Sequence, residues 1–258
     1  MLRELFGGLL DLLYPSYCLS CGKFLFLDHY FVACKECWEE GFREFKGKRC
    51  LNCGHPLELL PGVGELCGRC LEKPRKFNFD GVFYYTLYEG LPEVAIRELK
   101  FSRYRPVAGA IGRTISPHLK EVIRKFKPHL IVPVPLHPES LKERGFNQTE
   151  EILKGAGVSF EPILEKPYKG KKQAWSSYME RRKNVKGLYR LKEGVNVFGR
   201  RILLFDDVFT TGATADEIAS LLKEKGATEV LVYAVAYTPK GREGRQPGGF
   251  QLKAGAPP

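Results

Sequence analysis

Apolar positions in the last two thirds of the chain follow two spacings, and the two alternate. Short runs that are apolar throughout or at every second position predict strands, and longer stretches with apolar residues three or four positions apart predict helices. The predicted strands are residues 79–88, 129–136, 158–163, 187–191, 201–205 and 229–237. The predicted helices are 91–101, 106–126 with a bend or break near Pro117, 138–157 and 215–226. This alternation predicts an α/β fold with a doubly wound, mostly parallel sheet and helices on both faces.

The first fifteen residues, MLRELFGGLLDLLYP, also carry an apolar stripe. Glu4 and Asp11 interrupt it, no basic segment precedes it and no small-residue cleavage site follows it. The pattern therefore favours an amphipathic helix ending at Pro15 over a secretory signal. No other stretch approaches the ~18 uninterrupted apolar residues that a membrane span needs. We expect a soluble, cytoplasmic protein without a membrane span.

The cysteines are confined to one part of the chain. All eight lie between residues 18 and 70 in four C-x-x-C pairs: Cys18, Cys21, Cys34, Cys37, Cys50, Cys53, Cys67 and Cys70. This spacing lets two thiolates hold one tetrahedral ion, so four pairs predict two structural zinc sites, each with four cysteines. Sequential pairing would group the first four and the last four, and interleaved pairing stays open.

Other uses of the cysteines fit less well. A disulfide framework normally accompanies a secretory signal, and a single catalytic dithiol does not need four copies of the motif. With 258 residues and 43% hydrophobic content, the chain has room for one ordinary domain and a small satellite. We expect an apolar helix and double zinc ribbon at 1–76, an α/β domain at 77–240, and a flexible tail at 241–258.

Residues 201–214, RILLFDDVFTTGAT, carry the candidate ligand chemistry. Ligands of doubly wound sheets bind outside the carboxyl ends of the strands, where we expect Asp206 and Asp207 to lie. Two adjacent carboxylates can accept hydrogen bonds from the neighbouring hydroxyls of a ribose. The following loop offers hydroxyls and backbone N–H groups at a helix start, which favours an anion. The loop residues are Thr210, Thr211, Gly212, Ala213 and Thr214. The pattern predicts a ribose 5-phosphate site, although a strand followed by a capped helix is the plainer alternative.

This stretch resembles the phosphoribosyl-diphosphate (PRPP) binding motif of type I phosphoribosyltransferases, with one departure at Phe209, where a smaller aliphatic residue is usual. Together with the cysteine pairs, ELKFSRY, VPVPLHPESLKERGFNQTE and ERRKNVKGLY, it resembles the ComF family of phosphoribosyltransferase-like proteins linked to competence for DNA uptake. The resemblance runs from about Leu9 to Tyr237.

The resemblance implies the roles of several residues. Asp206 and Asp207 would hold the ribose and serve as the catalytic pair, and magnesium would accompany the PRPP. The loop after the second strand would receive the diphosphate through Pro133, Val134, Pro135, Leu136 and His137. His137 could instead simply end its strand, and Arg144–Gln148 could pack or contact ligand. Transfer of the phosphoribosyl group to an unidentified acceptor is the implied reaction, and binding without transfer is equally compatible with such a fold.

The net charge of +11 is concentrated in one segment. Between Glu165 and Arg201 there are twelve Lys or Arg against three Glu. This segment is either a lid that closes over the diphosphate or a surface for single-stranded DNA, because cations there alternate with aromatic residues. A solvated charged face is the plainer reading of any single residue. The candidate residues are Lys171, Lys172, Trp175, Arg181 and Arg182. Single-stranded DNA is the partner that this segment predicts, and PRPP and other competence proteins are the partners that the resemblance implies. A non-catalytic DNA-binding accessory protein of competence is the alternative function.

Overall fold

The computed structural model describes residues 16–25, 32–72, 76–102, 105–167 and 187–239. Its main sheet has four strands, β5 (Gly81–Leu87), β6 (Leu130–Pro133), β9 (Arg201–Phe209) and β10 (Glu229–Tyr237). They lie in the order β5-β10-β9-β6, and every neighbouring pair is parallel. The predicted α/β class with a parallel sheet is confirmed.

The helices that connect these strands lie on both faces of the sheet. Between β5 and β6 the chain forms α3 (Leu91–Arg97), a π-helical turn (Glu98–Ser102) and α4 (Pro106–Phe126). After β6 come α5 (Pro138–Arg144) and α6 (Gln148–Gly155), and α7 (Ala213–Glu224) connects β9 to β10.

Alternate residues of β9 show which helices cover which face. Leu203 and Phe205 share a core with α3, α4 and α6, whereas Ile202 and Leu204 share a second core with α7. The chain thus crosses from one sheet edge to the other over one face and returns from β9 to β10 over the opposite face. Right-handed crossovers require this change of face when the direction reverses, which is the doubly wound arrangement.

Helices α4 and α6 approach each other closely through glycines. A Cβ atom on Gly112 would lie 2.3 Å from the carbonyl oxygen of Ile152, and one on Gly155 would lie 2.8 Å from the Cα of Gly109. Larger residues would therefore separate the two helices. This contact fixes α6, and with it Gln148 at its first turn, relative to the sheet.

In its described residues, the N-terminal module consists of short hairpins and two short helices. The hairpin strands are β1 (Ser16–Tyr17) with β2 (Phe24–Leu25) and β3 (Gly62–Val63) with β4 (Leu66–Cys67). The helices are α1 (Lys35–Gly41) and α2 (Gly68–Glu72). Trp38 of α1 is 2% exposed, stacks on Phe42 and donates from Nε1 to the Thr114 hydroxyl of α4 at 2.8 Å. The first cysteine module therefore packs into the same core as the helices of the α/β part.

One expectation about helices was wrong. Residues 138–157 form two helices rather than one, because Gly145 adopts a left-handed conformation with φ 80° and Asn147 begins a new helix as its N-cap. Of the bend or break expected near Pro117, the break does not occur: α4 continues through the proline, and its buried face packs against the core on both sides of it.

Strands also differ in length from the prediction. β9 continues past Phe205 to Phe209. Residues 158–163 form no strand; a two-residue strand, β7 (Leu164–Glu165), follows them and pairs with β8 (Arg190–Leu191), which keeps two residues of the predicted strand 187–191. The predicted N-terminal helix and C-terminal tail lie outside the described residues, and the proposed domain limits stay predictions. No helix in the part of the chain that the structure describes is long and apolar enough to cross a membrane.

Candidate functional site

The candidate site lies where β9 extends beyond its neighbour β6. β6 ends at Pro133, which pairs with Phe205, whereas β9 continues to Phe209 alongside β10. From Asp206 onward, no strand among the described residues pairs with the flank of β9 that faces β6. The loops after β6 and β9 meet at this crevice at the carboxyl edge of the sheet, which is the usual ligand position in doubly wound folds.

The two adjacent carboxylates point to opposite faces of the sheet, because side chains alternate along a strand. Asp207 is 4% exposed and faces the helices α3 and α6. Its Oδ1 accepts from Lys100 Nζ at 2.8 Å, and its Oδ2 accepts from Gln148 Nε2 at 2.7 Å. Both carboxylate oxygens of Asp207 therefore already have a donor from the protein.

Asp206 lies on the other face, partly buried beside Lys166 and Tyr189. Burial and the charge of Asp207 raise the pKa of Asp206 from 3.8 to about 7, although Lys100, the backbone N–H of Asp207 and Lys166 oppose the rise. That N–H donates to Asp206 Oδ1 at 2.8 Å. Burial also lowers the pKa of Lys166, whose Nζ lies 5.2 Å from the centroid of the Tyr189 ring. The aspartates thus have distinct environments, and Asp206 changes charge near neutral pH.

The loop after β9 has the shape of an anion cradle. Thr210 is exposed, and Thr211 is buried with its Oγ1 accepting from the backbone N–H of Ala213 at 3.3 Å. Gly212 adopts φ 77°, and a Cβ there would lie 2.8 Å from the Phe209 ring, so only glycine fits. Helix α7 begins at Ala213, and its first backbone N–H groups have no acceptor within the helix; that of Ala213 donates to Thr211. Phe209 itself packs between Phe79 and Tyr237, which explains an aromatic residue at this position.

The loop after β6 is held by the segment that follows it. Asn147 Nδ2 and Thr149 Oγ1 both donate to the carbonyl oxygen of Val134, at 3.2 and 3.0 Å. His137 is the N-cap of α5, and its Nδ1 accepts from the backbone N–H of Glu139 at 3.2 Å. The predicted loop residues Pro133, Val134, Pro135, Leu136 and His137 thus flank the crevice on the β6 side.

Four further residues lie beside the aspartates: Lys100, Gln148, Lys166 and Tyr189. The sequence analysis did not name Lys100, gave Gln148 only as an alternative contact, and placed Lys166 and Tyr189 in the basic segment without a role of their own. Lys100 and Gln148 stand 107 and 59 residues from Asp207 along the chain. Two features of the sequence could have indicated these residues. Lys100 is a charged residue in a predicted amphipathic helix, and Gln148 stands at a helix start directly after RGFN. The residues predicted for a lid or nucleic-acid surface, Lys171, Lys172, Trp175, Arg181 and Arg182, lie outside the described residues.

The eight cysteines form two clusters in sequential pairing. One contains Cys18, Cys21, Cys34 and Cys37, and the other contains Cys50, Cys53, Cys67 and Cys70. Cys21 Sγ lies 3.8 Å from Cys34 Sγ, and Cys53 Sγ lies 3.7 Å from Cys67 Sγ. A tetrahedron of sulfurs ~2.3 Å from a zinc ion has edges of about 3.8 Å, so both clusters fit zinc. All eight cysteines are free of disulfide bonds.

The second cysteine cluster adjoins the loop after β9. Cys53, Cys67 and Cys70 line one side of a narrow cavity, and Thr210 and Thr211 line the other. His55 also lines this cavity and is not one of the four residues of the cluster. Its Nδ1 lies 3.4 Å from the hydroxyl of Tyr237 at the end of β10. The cysteine module therefore contacts the α/β part at the edge that carries the candidate site.

Comparison with known proteins places this arrangement in a family. The double zinc ribbon domain model matches residues 9–71. DNA utilization protein YhgH of Escherichia coli K12 is 31% identical over 239 residues, which cover 87% of this chain and 98% of that protein. The chain belongs to the ComF family. Competence protein F of Haemophilus influenzae is 28% identical over 71% of this chain and 83% of its own length. Competence protein ComFC of Streptococcus pneumoniae is 33% identical over 52% of this chain, a match that spans 60% of that relative.

Solved structures similar to this ComF chain include a hypoxanthine phosphoribosyltransferase from Staphylococcus aureus, with a TM-score of 0.31 and 12% identity over 50% of this chain and 62% of that one. Another is adenine phosphoribosyltransferase from Saccharomyces cerevisiae, with a TM-score of 0.33 and 18% identity over 53% of this chain and 73% of that one. Similarity at these TM-scores does not identify a ligand or an activity, because both depend on the residues of the site itself.

Proposed function

We propose that the chain binds PRPP at the carboxyl edge of the sheet, with the ribose beside Asp206 and Asp207 and the 5-phosphate in the loop Thr210–Thr214. The observation that carries the proposal is the loop geometry. Gly212 is held in a left-handed conformation directly before the first turn of α7, beside the exposed Thr210, and the start of a helix after such a turn is an arrangement that favours an anion.

The two aspartates have different parts in this proposal. Asp206 accepts hydrogen bonds from the ribose hydroxyls in its charged form, whereas Asp207 keeps its contacts with Lys100 and Gln148 and presents remaining lone pairs to the sugar. The diphosphate lies toward Pro133–His137. Magnesium accompanies it as part of the ligand, bound mainly by phosphate and water oxygens. The proposed reaction is transfer of the phosphoribosyl group: the bond from ribose C1 to the diphosphate breaks, the diphosphate leaves with magnesium, and C1 bonds to the acceptor, with the aspartates as the catalytic pair.

The phosphate cradle is tested by comparing ribose 5-phosphate with ribose. We expect calorimetry to show ribose 5-phosphate binding at least ten times more tightly than ribose, since an anion gains charge-assisted hydrogen bonds of roughly 1.5–3 kcal/mol each. Thr210→Val should weaken ribose 5-phosphate binding several-fold. Thr228→Val is the matched control, because that hydroxyl donates to the carbonyl of Arg200 at the opposite end of β9. Equal affinities for ribose and ribose 5-phosphate would contradict the proposal.

A second candidate function is binding of single-stranded DNA, favoured by the relatives named for DNA utilization and competence and by the basic segment. We propose that cations and aromatic residues of 166–201, with the zinc module, form this surface. Labelled single-stranded DNA should then bind with a steep salt dependence, and charge reversal at Lys171, Lys172, Arg181 and Arg182 should flatten the slope. An unchanged slope would remove this segment from the interface.

A further inference from the structure

The segment Arg144–Thr149, RGFNQT, joins the two halves of the candidate site. Asn147 and Thr149 hold the Val134 carbonyl in the loop after β6, and Gln148 between them donates to Asp207 of β9. One short segment therefore fixes the position of the loop after β6 relative to the aspartates. These contacts do not account for Arg144, the first residue of the segment.

The amide of Gln148 has a fixed orientation. Gln148 is 6% exposed, its Nε2 donates to Asp207 Oδ2 at 2.7 Å, and its Oε1 accepts from Arg144 Nη1 at 2.9 Å. The opposite assignment of the amide would place two acceptors together at Asp207 and two donors together at Arg144. A continuous hydrogen-bonded chain thus runs from Lys100 through Asp207 and Gln148 to Arg144.

The charges along this chain leave Arg144 uncompensated. Lys100 already forms an ion pair with Asp207, and Gln148 is neutral. Among the described residues, no carboxylate forms an ion pair with Arg144. One N–H of the guanidinium bonds to Gln148, and its other donors remain available, because the group carries several in a planar fork. Arg144 is partly exposed at the end of α5, so these donors are accessible to a ligand from solvent.

The position of Arg144 is limited by the two hydrogen bonds. With one amide group between them, its Nη1 lies at most about 8 Å from Asp207 Oδ2. A ribose beside Asp207 would therefore bring the group attached to its C1 atom within reach of the guanidinium. In PRPP that group is a diphosphate, which arginine binds through two parallel N–H···O bonds.

We propose that Arg144 binds the diphosphate end of PRPP, with its guanidinium oriented by Asp207 through Gln148. This inference rests on the proposed function and adds a residue to it: Arg144 contacts the ligand, and Gln148 is a positioning residue. The same aspartate that adjoins the ribose then also orients the cation for the diphosphate, so both ends of the site depend on one hydrogen-bonded chain.

The test compares ligands with and without a diphosphate by calorimetry on the zinc-loaded full chain. The ligands are PRPP with magnesium, inorganic diphosphate with magnesium, and ribose 5-phosphate. We expect Arg144→Met to weaken binding of the first two by roughly tenfold to a hundredfold, because charge-assisted hydrogen bonds are lost. Binding of ribose 5-phosphate should change less than about twofold, since it lacks the diphosphate.

Three further variants separate ligand contact from a structural role. Arg144→Lys should recover part of the PRPP affinity that Arg144→Met loses. If Arg144→Met does not fold, Arg144→Lys takes its place in the comparison of ligands. Lys142→Met, which removes an exposed charge from the same turn of α5, should leave all affinities unchanged. Gln148→Met should weaken PRPP binding less than Arg144→Met, because the guanidinium remains but loses its orientation.

The failures are distinguishable. Equal weakening of PRPP and ribose 5-phosphate by Arg144→Met, or no weakening of either, would overturn the role of Arg144 while leaving the PRPP site in place. Wild-type protein that binds neither PRPP nor ribose 5-phosphate would refute the proposed function, and this inference with it.

Discussion

Asp206→Asn should stabilise the protein above neutral pH, and by an amount that depends on pH. The pKa of Asp206 rises from 3.8 to about 7 in the fold because of burial and the Asp207 charge. The folded protein therefore binds a proton that the unfolded chain releases, so its stability falls as pH rises from about 4 to about 7 and then stays level. Asparagine carries no charge at any pH and avoids this loss.

The magnitude follows from the two pKa values. If the whole rise in the pKa of Asp206 acted on the free energy of unfolding, the loss of stability at high pH would be about 4 kcal/mol. About 2 kcal/mol of this loss falls between pH 5.5 and 8.5. Because the Asp206 side chain is partly exposed, we expect solvent screening to reduce the second figure to about 1 kcal/mol. The variant should therefore gain about 1 kcal/mol on the wild type across this range.

Urea denaturation in zinc-containing buffer at pH 5.5, 7.0 and 8.5 measures this gain, since the difference between two proteins at the same pH cancels other titrations. Glu151→Gln is a control of opposite sign. Hydrogen bonds from Arg105, opposed by burial and assisted by Lys154, lower the pKa of Glu151, so its contribution is present at neutral pH and is lost as pH falls below about 4.5. A difference between Asp206→Asn and wild type that is constant over the three pH values would refute the reasoning.

Three other substitutions give separate checks. In urea denaturation, Lys100→Met should lower the free energy of unfolding by about 2–4 kcal/mol, because it leaves the buried Asp207 without its ion-pair partner. Lys100→Arg should restore part of the loss, and a loss below about 0.5 kcal/mol in Lys100→Met would contradict the role of this ion pair. Gly212→Ala should cost about 1–3 kcal/mol and weaken ribose 5-phosphate binding, since φ is 77° and the new Cβ would meet the Phe209 ring; unchanged binding would argue against the cradle. Cys53→Ser should reduce zinc from two ions to one per chain by metal analysis and weaken binding at the adjoining Thr210–Thr211 loop, whereas retention of two zinc ions would remove Cys53 from the ligand set.

Features encoded by contiguous residues were predicted from the sequence. The spacing of Cys18 and Cys21, and of the three other pairs, indicated two zinc sites, and the structure confirms two clusters in sequential pairing. The apolar run 229–237 predicted β10 with its limits. Local spacing suffices in both cases, because a zinc knuckle and a buried strand are determined by neighbouring residues.

Features that depend on distant residues were not predicted. The sequence analysis ended the strand at Phe205, whereas pairing with β10 extends β9 to Phe209 and sends the two aspartates to opposite faces. Nothing local to Asp207 indicates Lys100, because the contact exists only once the π-helical turn packs beside β9. The break at Gly145 shows a related limit, since the apolar spacing of 138–157 continues through a residue whose left-handed conformation ends the helix.

The most direct test of the account is a titration of PRPP with magnesium into the wild-type chain and into the double variant Asp206→Asn plus Asp207→Asn, followed by calorimetry. We predict saturable binding at one site per wild-type chain, and an affinity at least about a hundredfold lower in the double variant, because two charged acceptors for the ribose hydroxyls are replaced by neutral amides with one acceptor oxygen each. Absence of binding to the wild type, or equal affinity in the double variant, would contradict the assignment of the site.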